Sequence, residues 1–137
     1  MKNGALRVAA YFLVAHFIIA AAIAFLGTGS PDYFRMFVSF GFLLGSVFAL
    51  FAPRKLGWLM VVAYTLHTLS PLPTGMWAVW NSTQLEPAAR IVALVILSLM
   101  QVPLLVALVL IFKPGSFAAF KSPPAGDVAK EAAVSKS

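Results

Sequence analysis

The chain has no cysteine and very little acid: of 137 residues, four are Asp or Glu. Without thiols there is no disulfide, no iron–sulfur cluster, no thiolate zinc site and no cysteine nucleophile. Charge of either sign is scarce. Charged residues make up 10% of the chain, against roughly 25% in an average soluble domain, while the hydrophobic fraction is 61%. Such a chain has too little polar surface to cover a globule of its size in water, so lipid is expected to cover it. Also missing are a Gly-rich phosphate loop, a Ser/His/Asp set, paired carboxylates and an HExxH helix. Hydrolysis and phosphoryl transfer therefore lack machinery, and the sequence leans away from an enzyme.

What the chain has in abundance is uninterrupted apolar sequence. Four runs lie between charged and Pro/Gly boundaries: Val8–Gly27, Met36–Ala52, Leu56–Leu72 and Ile91–Phe112. As helices, runs of this length are close to the thickness of a bilayer core of about 30 Å. Lys2, Arg7 and the triplet Ala22-Ile23-Ala24 give the first run some likeness to a signal peptide. Its apolar stretch exceeds the usual core of about 7–15 residues, so it is read as a span. The expected fold is an all-α membrane protein, a four-transmembrane-helix up-down bundle over residues 1–113. A disordered tail is expected over 114–137, rich in Pro, Gly, Ala, Ser and Lys, with Phe117 and Phe120 resting on the membrane surface.

Alternating the spans places Lys2, Arg7, Arg54, Lys55, Lys113, Lys121, Lys130 and Lys136 on one side and only Arg35 and Arg90 on the other. The positive-inside bias then puts both termini in the cytoplasm. Compactness, high alanine content and the lack of cysteine favour a bacterial inner (plasma) membrane. On the outer side Ser30 is expected to cap the second helix, with Pro31 at its first position and Asp32 balancing Arg35; Pro87 opens the fourth, with Glu86 balancing Arg90. All of the net charge of +6 is thus cytoplasmic, a topology signal and not a nucleic-acid footprint. Trp77 and Trp80, in the expected outer loop, suit an interfacial belt. Asn81-Ser82-Thr83 matches a glycosylation acceptor on that side.

Polar side chains at bilayer depth are the candidates for function. Tyr64, His67, Thr68 and Pro71 fall on one helical stripe, expected to face protein. His16 shares its face with Phe12, Ala20 and Ala24. Ser98 and Gln101 share a face of the fourth span, where Pro103 frees the carbonyl of Leu99. Gly41, Gly45 and Ala49 form a GxxxG-type stripe suited to close helix packing. His16 and His67 are expected near the midplane at similar depth.

Three functional readings follow. The first is a noncatalytic accessory or structural subunit, packing through Gly41, Gly45 and Ala49 onto itself or a larger membrane complex. The second is a small oligomeric transporter or channel whose path is lined by Tyr64, His67, Thr68, Ser98 and Gln101, histidine being the one group in the spans with a near-neutral pKa. The third is an electron carrier holding a b-type haem between His16 and His67, the one metal-ligating pair the spans offer. No cofactor is required by the first two readings, and no nucleic acid by any.

Overall fold

Leu6, Ala9, Ala10, Leu13 and His16 recur at the spacing of one helical face, and all five are buried. That periodicity brings one stripe of each long helix to a common axis. The computed structural model describes residues 3–28, 31–121 and 133–136. The helices are α1 (Gly4–Thr28), α2 (Tyr33–Phe51), α3 (Trp58–Leu69), α4 (Leu72–Trp80), α5 (Pro87–Leu99), α6 (Val102–Phe112) and α7 (Pro114–Lys121). No strand occurs among the described residues. Three helical stretches are long and apolar enough to cross a membrane: Gly4–Gly27, Tyr33–Phe51 and the α5–α6 pair, Pro87–Phe112. Only 22% of the apolar window in each is buried within the chain. The remaining side chains face outward, where hydrocarbon suits them better than water.

The helices enclose one core. α1 packs most extensively on α6 and also on α2, α2 packs on α3, and α4 packs on α5. Leu6, Leu13, Leu50, Val61, Leu104, Ile111 and Phe120 fill the centre with no exposed surface.

The expected third span, Leu56–Leu72, is not among these three stretches, and the helix there continues past Leu72. Ser70 (φ −55°, ψ −37°) and Pro71 (φ −85°, ψ −9°) keep right-handed helical dihedrals between α3 and α4. Pro71 and Pro73 lack the N–H groups that would bind the carbonyls of His67 and Leu69, so the rod bends and does not stop. The helix runs on to Trp80, and the connection to α5 shrinks to residues 81–86. Trp77 and Trp80 remain well exposed. The fourth span divides at Met100–Gln101, two residues before Pro103, where Gln101 N–H donates to Ser98 O at 3.1 Å in a tightened turn.

Two other expectations give way. The N-cap of α2 is Asp32, whose Oδ1 accepts from Arg35 N–H at 3.0 Å, and not Ser30. Ser30 itself lies outside the described residues. An aspartate three residues before a free amide satisfies an orphan donor better than a residue further from the helix can. The stretch from Pro114 to Lys121, expected to be disordered, forms α7. Phe120 is fully buried, and the Phe117 ring meets Trp58, Phe112 and Phe120 with centroids 5.6–6.0 Å apart. Aromatics three apart on one helical turn bury enough apolar area to order it. The rest of the expected tail, except 133–136, lies outside the described residues.

The glycine stripe is largely used inside the chain. A Cβ on Gly45 would collide with the side chain of Met60 on α3, and Ala49 is buried beside Gly57, where a Cβ would lie 3.1 Å from that of Ala49. Ser46, on the same side of α2, lies 3.0 Å from Met60 O. Gly41 alone faces open space. Gly45→Ile is therefore expected to overpack the α2–α3 contact and lower stability by about 1–3 kcal/mol, measured as an earlier unfolding midpoint in detergent. Gly41→Ile should leave that midpoint within about 0.5 kcal/mol of the parent.

Candidate functional site

The inward stripe of α1 changes character along its length. It begins with Leu6 and Leu13, passes His16, and continues as Phe17, Ala20, Ala21 and Ala24. Beside the last four of these lies a cavity of about 230 Å³, lined by Phe17, Ala20, Ala21 and Ala24, by Arg35, Met36 and Ser39 of α2, by Tyr64, Thr68 and Pro71, and by Met100.

Through Tyr64 the cavity wall joins a three-helix hydrogen-bond network. His16 is fully buried. Its Nε2 lies 3.2 Å from Gln101 Oε1 and its Nδ1 lies 3.0 Å from the Tyr64 hydroxyl. A carboxamide oxygen only accepts, so Nε2–H donates to Gln101 and the lone pair on Nδ1 receives the Tyr64 O–H. The amide of Gln101 donates onward to Leu97 O at 3.5 Å. The chain of donors runs in one direction and leaves neither ring nitrogen unsatisfied, as apolar surroundings demand. Such bonds across helices in a bilayer are worth about 0.6–2 kcal/mol each. Thr68 Oγ1 donates to the Tyr64 carbonyl at 2.7 Å. Tyr64 and Thr68 both line the cavity, and with their hydrogens already committed their hydroxyl oxygens can act there only as acceptors.

The roof is Arg35. Its Nη2 donates to His67 O at 2.7 Å and to Ser70 Oγ at 3.0 Å. His67 O is the carbonyl that Pro71 deprives of its helical partner, and the Ser70 hydroxyl also donates to it, at 3.0 Å. The arginine at the start of α2 thereby satisfies the bend in the α3–α4 rod. The expected balance between Arg35 and Asp32 takes another form: the carboxylate caps the helix through the Arg35 amide, and the guanidinium turns to the neighbouring helix. Arg90 behaves likewise. Its Nε and Nη1 donate to Leu85 O at 3.0 Å and Trp80 O at 3.4 Å, at the end of α4.

Of the residues singled out from sequence, His16, Tyr64 and Gln101 come together, and Thr68 joins them at the cavity wall. Ser98 does not. It is exposed, and its hydroxyl donates to Leu94 O in its own helix at 2.9 Å. Residues three apart on a helix differ in direction by about 60°, enough to put Gln101 inside and Ser98 outside. His67 turns to α2, with its ring 5.6 Å from that of Phe42, and its buried Nε2 has no partner among the described residues. No hydrogen bond or ring contact joins it to His16 among the described residues. Iron ligation by His16 would require breaking its bond to Tyr64 or to Gln101. Arg35 and Ser39 were not legible as site residues. The available signal was Pro71, four residues after His67, which frees a carbonyl at bilayer depth and calls for a donor from another helix.

Tyr64→Phe should orphan a buried imidazole nitrogen and cost about 1–3 kcal/mol, measured by denaturant unfolding in detergent. Adding His16→Leu to Tyr64→Phe should cost less than the sum of the two single changes, because the Tyr64–His16 bond that each change breaks is then lost only once. Additive losses would mean that the two side chains do not share one network.

No protein-family model, curated protein or solved structure matches the chain, which leaves its own residues as the ground for its function.

Proposed function

We propose that the protein is a polytopic inner-membrane protein of four crossings, with both termini and the Arg54–Lys55 turn in the cytoplasm, and that it is a noncatalytic binding protein whose site is the pocket lined by Arg35 and Tyr64. Support for the fourth crossing comes from the helical dihedrals of Ser70 and Pro71, which join α3 and α4 into one bent rod. The orientation rests on the eight-to-two partition of Lys and Arg.

The observation that carries the binding reading is the cavity of about 230 Å³, with an arginine at one end and a closed polar network at the other. For comparison, a cavity of about 150 Å³ accommodates benzene, so the pocket suits a small organic solute. What favours binding over conduction is the fully buried plug of Leu6, Leu13, Leu104, Ile111 and Phe120 beyond the network. A transport cycle would have to part Tyr64 or Gln101 from His16. The accessory-subunit reading keeps one specific support: Gly41 lies open on α2 near exposed Phe37, Phe40 and Leu44, a surface on which a partner helix could pack.

Two measurements test this. Because the parent chain has no cysteine, single replacements report topology directly: Lys55→Cys should be labelled only from the cytoplasmic side and Thr83→Cys only from the opposite side. A thermal-shift screen of small solutes on the purified protein should yield at least one that stabilises the parent but not Ala21→Phe, in which the pocket is filled. At about 100 times Kd the expected stabilisation is about 2.7 kcal/mol. If every stabilising solute acts equally on Ala21→Phe, the pocket is not the site.

A further inference from the structure

The pocket is chemically lopsided in a way that selects its ligand. Long cationic side chains near the ends of membrane helices ordinarily snorkel toward headgroups, yet the Arg35 guanidinium is folded inward over the cavity and held by its Nη2 bonds to His67 O and Ser70 Oγ. A guanidinium carries five donors. Among the described residues Nε and Nη1 have no acceptor, and no carboxylate lines the cavity. The nearest acid in sequence, Asp32, accepts the Arg35 amide N–H at the start of α2. A positive charge therefore faces an apolar-walled space with donors in reserve. Deeper in, Tyr64 and Thr68 offer oxygens that can only accept, since their hydrogens go to His16 Nδ1 and Tyr64 O. Ser39 adds a hydroxyl, while Phe17, Ala20, Ala21 and Met36 supply an apolar wall.

We propose that the pocket binds a small organic monoanion that also carries a hydroxyl group, with the anionic group accepting from the free Nη1–H or Nε–H of Arg35 and the hydroxyl donating to the Tyr64 or the Thr68 oxygen. This rests on the pocket being the functional site. A carboxylate or phosphate can accept a charge-assisted N–H bond from either free donor of the guanidinium. The ligand hydroxyl satisfies an acceptor that a plain anion of the same size would leave unpaired. The same chemistry, an anion with a hydroxyl a few bonds away, occurs in free hydroxycarboxylates and in the glycerol-phosphate headgroup of an anionic lipid.

The test uses the full-length protein in detergent and in nanodiscs. In detergent, 4-hydroxybenzoate, benzoate, glycerol 3-phosphate and the neutral 4-hydroxybenzyl alcohol are titrated by calorimetry. In nanodiscs, protein stability is compared in phosphatidylglycerol and in phosphatidylcholine. Saturable binding of 4-hydroxybenzoate or glycerol 3-phosphate, weakened roughly tenfold to hundredfold by Arg35→Met and abolished by Ala21→Phe, supports the inference with a free anion as ligand. Weaker binding of benzoate than of 4-hydroxybenzoate is expected, and the difference should vanish in Tyr64→Phe. No small-anion binding, but a phosphatidylglycerol-dependent stabilisation lost in both Arg35→Met and Ala21→Phe, supports it with the lipid headgroup as ligand. Should Arg35→Met fold poorly, Ala21→Phe still tests the site, because it leaves every Arg35 bond in place. Binding of the neutral alcohol alone, lost in Ala21→Phe, overturns the anion while sparing the pocket. Anion binding indifferent to both replacements, or no binding in either arm, overturns the inference.

Discussion

A polar group surrounded by hydrocarbon must find its partner within the protein, and His16 does so where three helices meet. Its two nitrogens have opposite needs, one a donor and one an acceptor, and α3 and the α5–α6 junction supply one each. Because Tyr64 and Gln101 are separated from His16 by 48 and 85 residues, the network fixes the relative depth and rotation of helices that apolar packing alone would hold only loosely. Leucine against leucine tolerates sliding; an imidazole between a phenol and a carboxamide does not.

The same requirement explains the bend. Pro71 removes one helical hydrogen bond, and the freed carbonyl of His67 is served by Arg35 from the beginning of α2. One substitution-sensitive feature of the sequence thus ties a bend in one helix to the start of another. Arg90 meets the last carbonyl of α4, that of Trp80, in a similar way. In both places a cation sits at the carbonyl end of a helix, where the macrodipole favours it, and neither depends on the acid near it in sequence. These contacts hold the Arg35 end of the bundle open around a cavity, while the other end is packed solid with Leu6, Ile111 and Phe120.

Along α1 the packed end is made by Leu6, Ala9, Ala10 and Leu13, all buried, and the pocket is bordered by Phe17, Ala20, Ala21 and Ala24. The polar groups lining the pocket are two committed hydroxyls, a serine and a guanidinium.

From the sequence alone, the scarcity of charge and the lengths of the apolar runs were enough to specify a helical membrane protein, because both follow from the solvent a chain must satisfy. The inward facing of Tyr64 and Thr68 was legible for the same reason, as was the small-residue surface around His16. Which histidine meets which partner was not. His16 and His67 look equivalent by depth, and only the rotation of α3 about its axis aims Tyr64 at α1 and leaves His67 against Phe42. The role of Gly45 and Ala49 was likewise decided by tertiary structure, since a small-residue stripe reads the same whether the approaching helix comes from the same chain or another. Periodicity reports which residues share a face, but the direction of that face is a long-range property, and so are the ordering of α7 by Phe120 and the inward turn of Arg35.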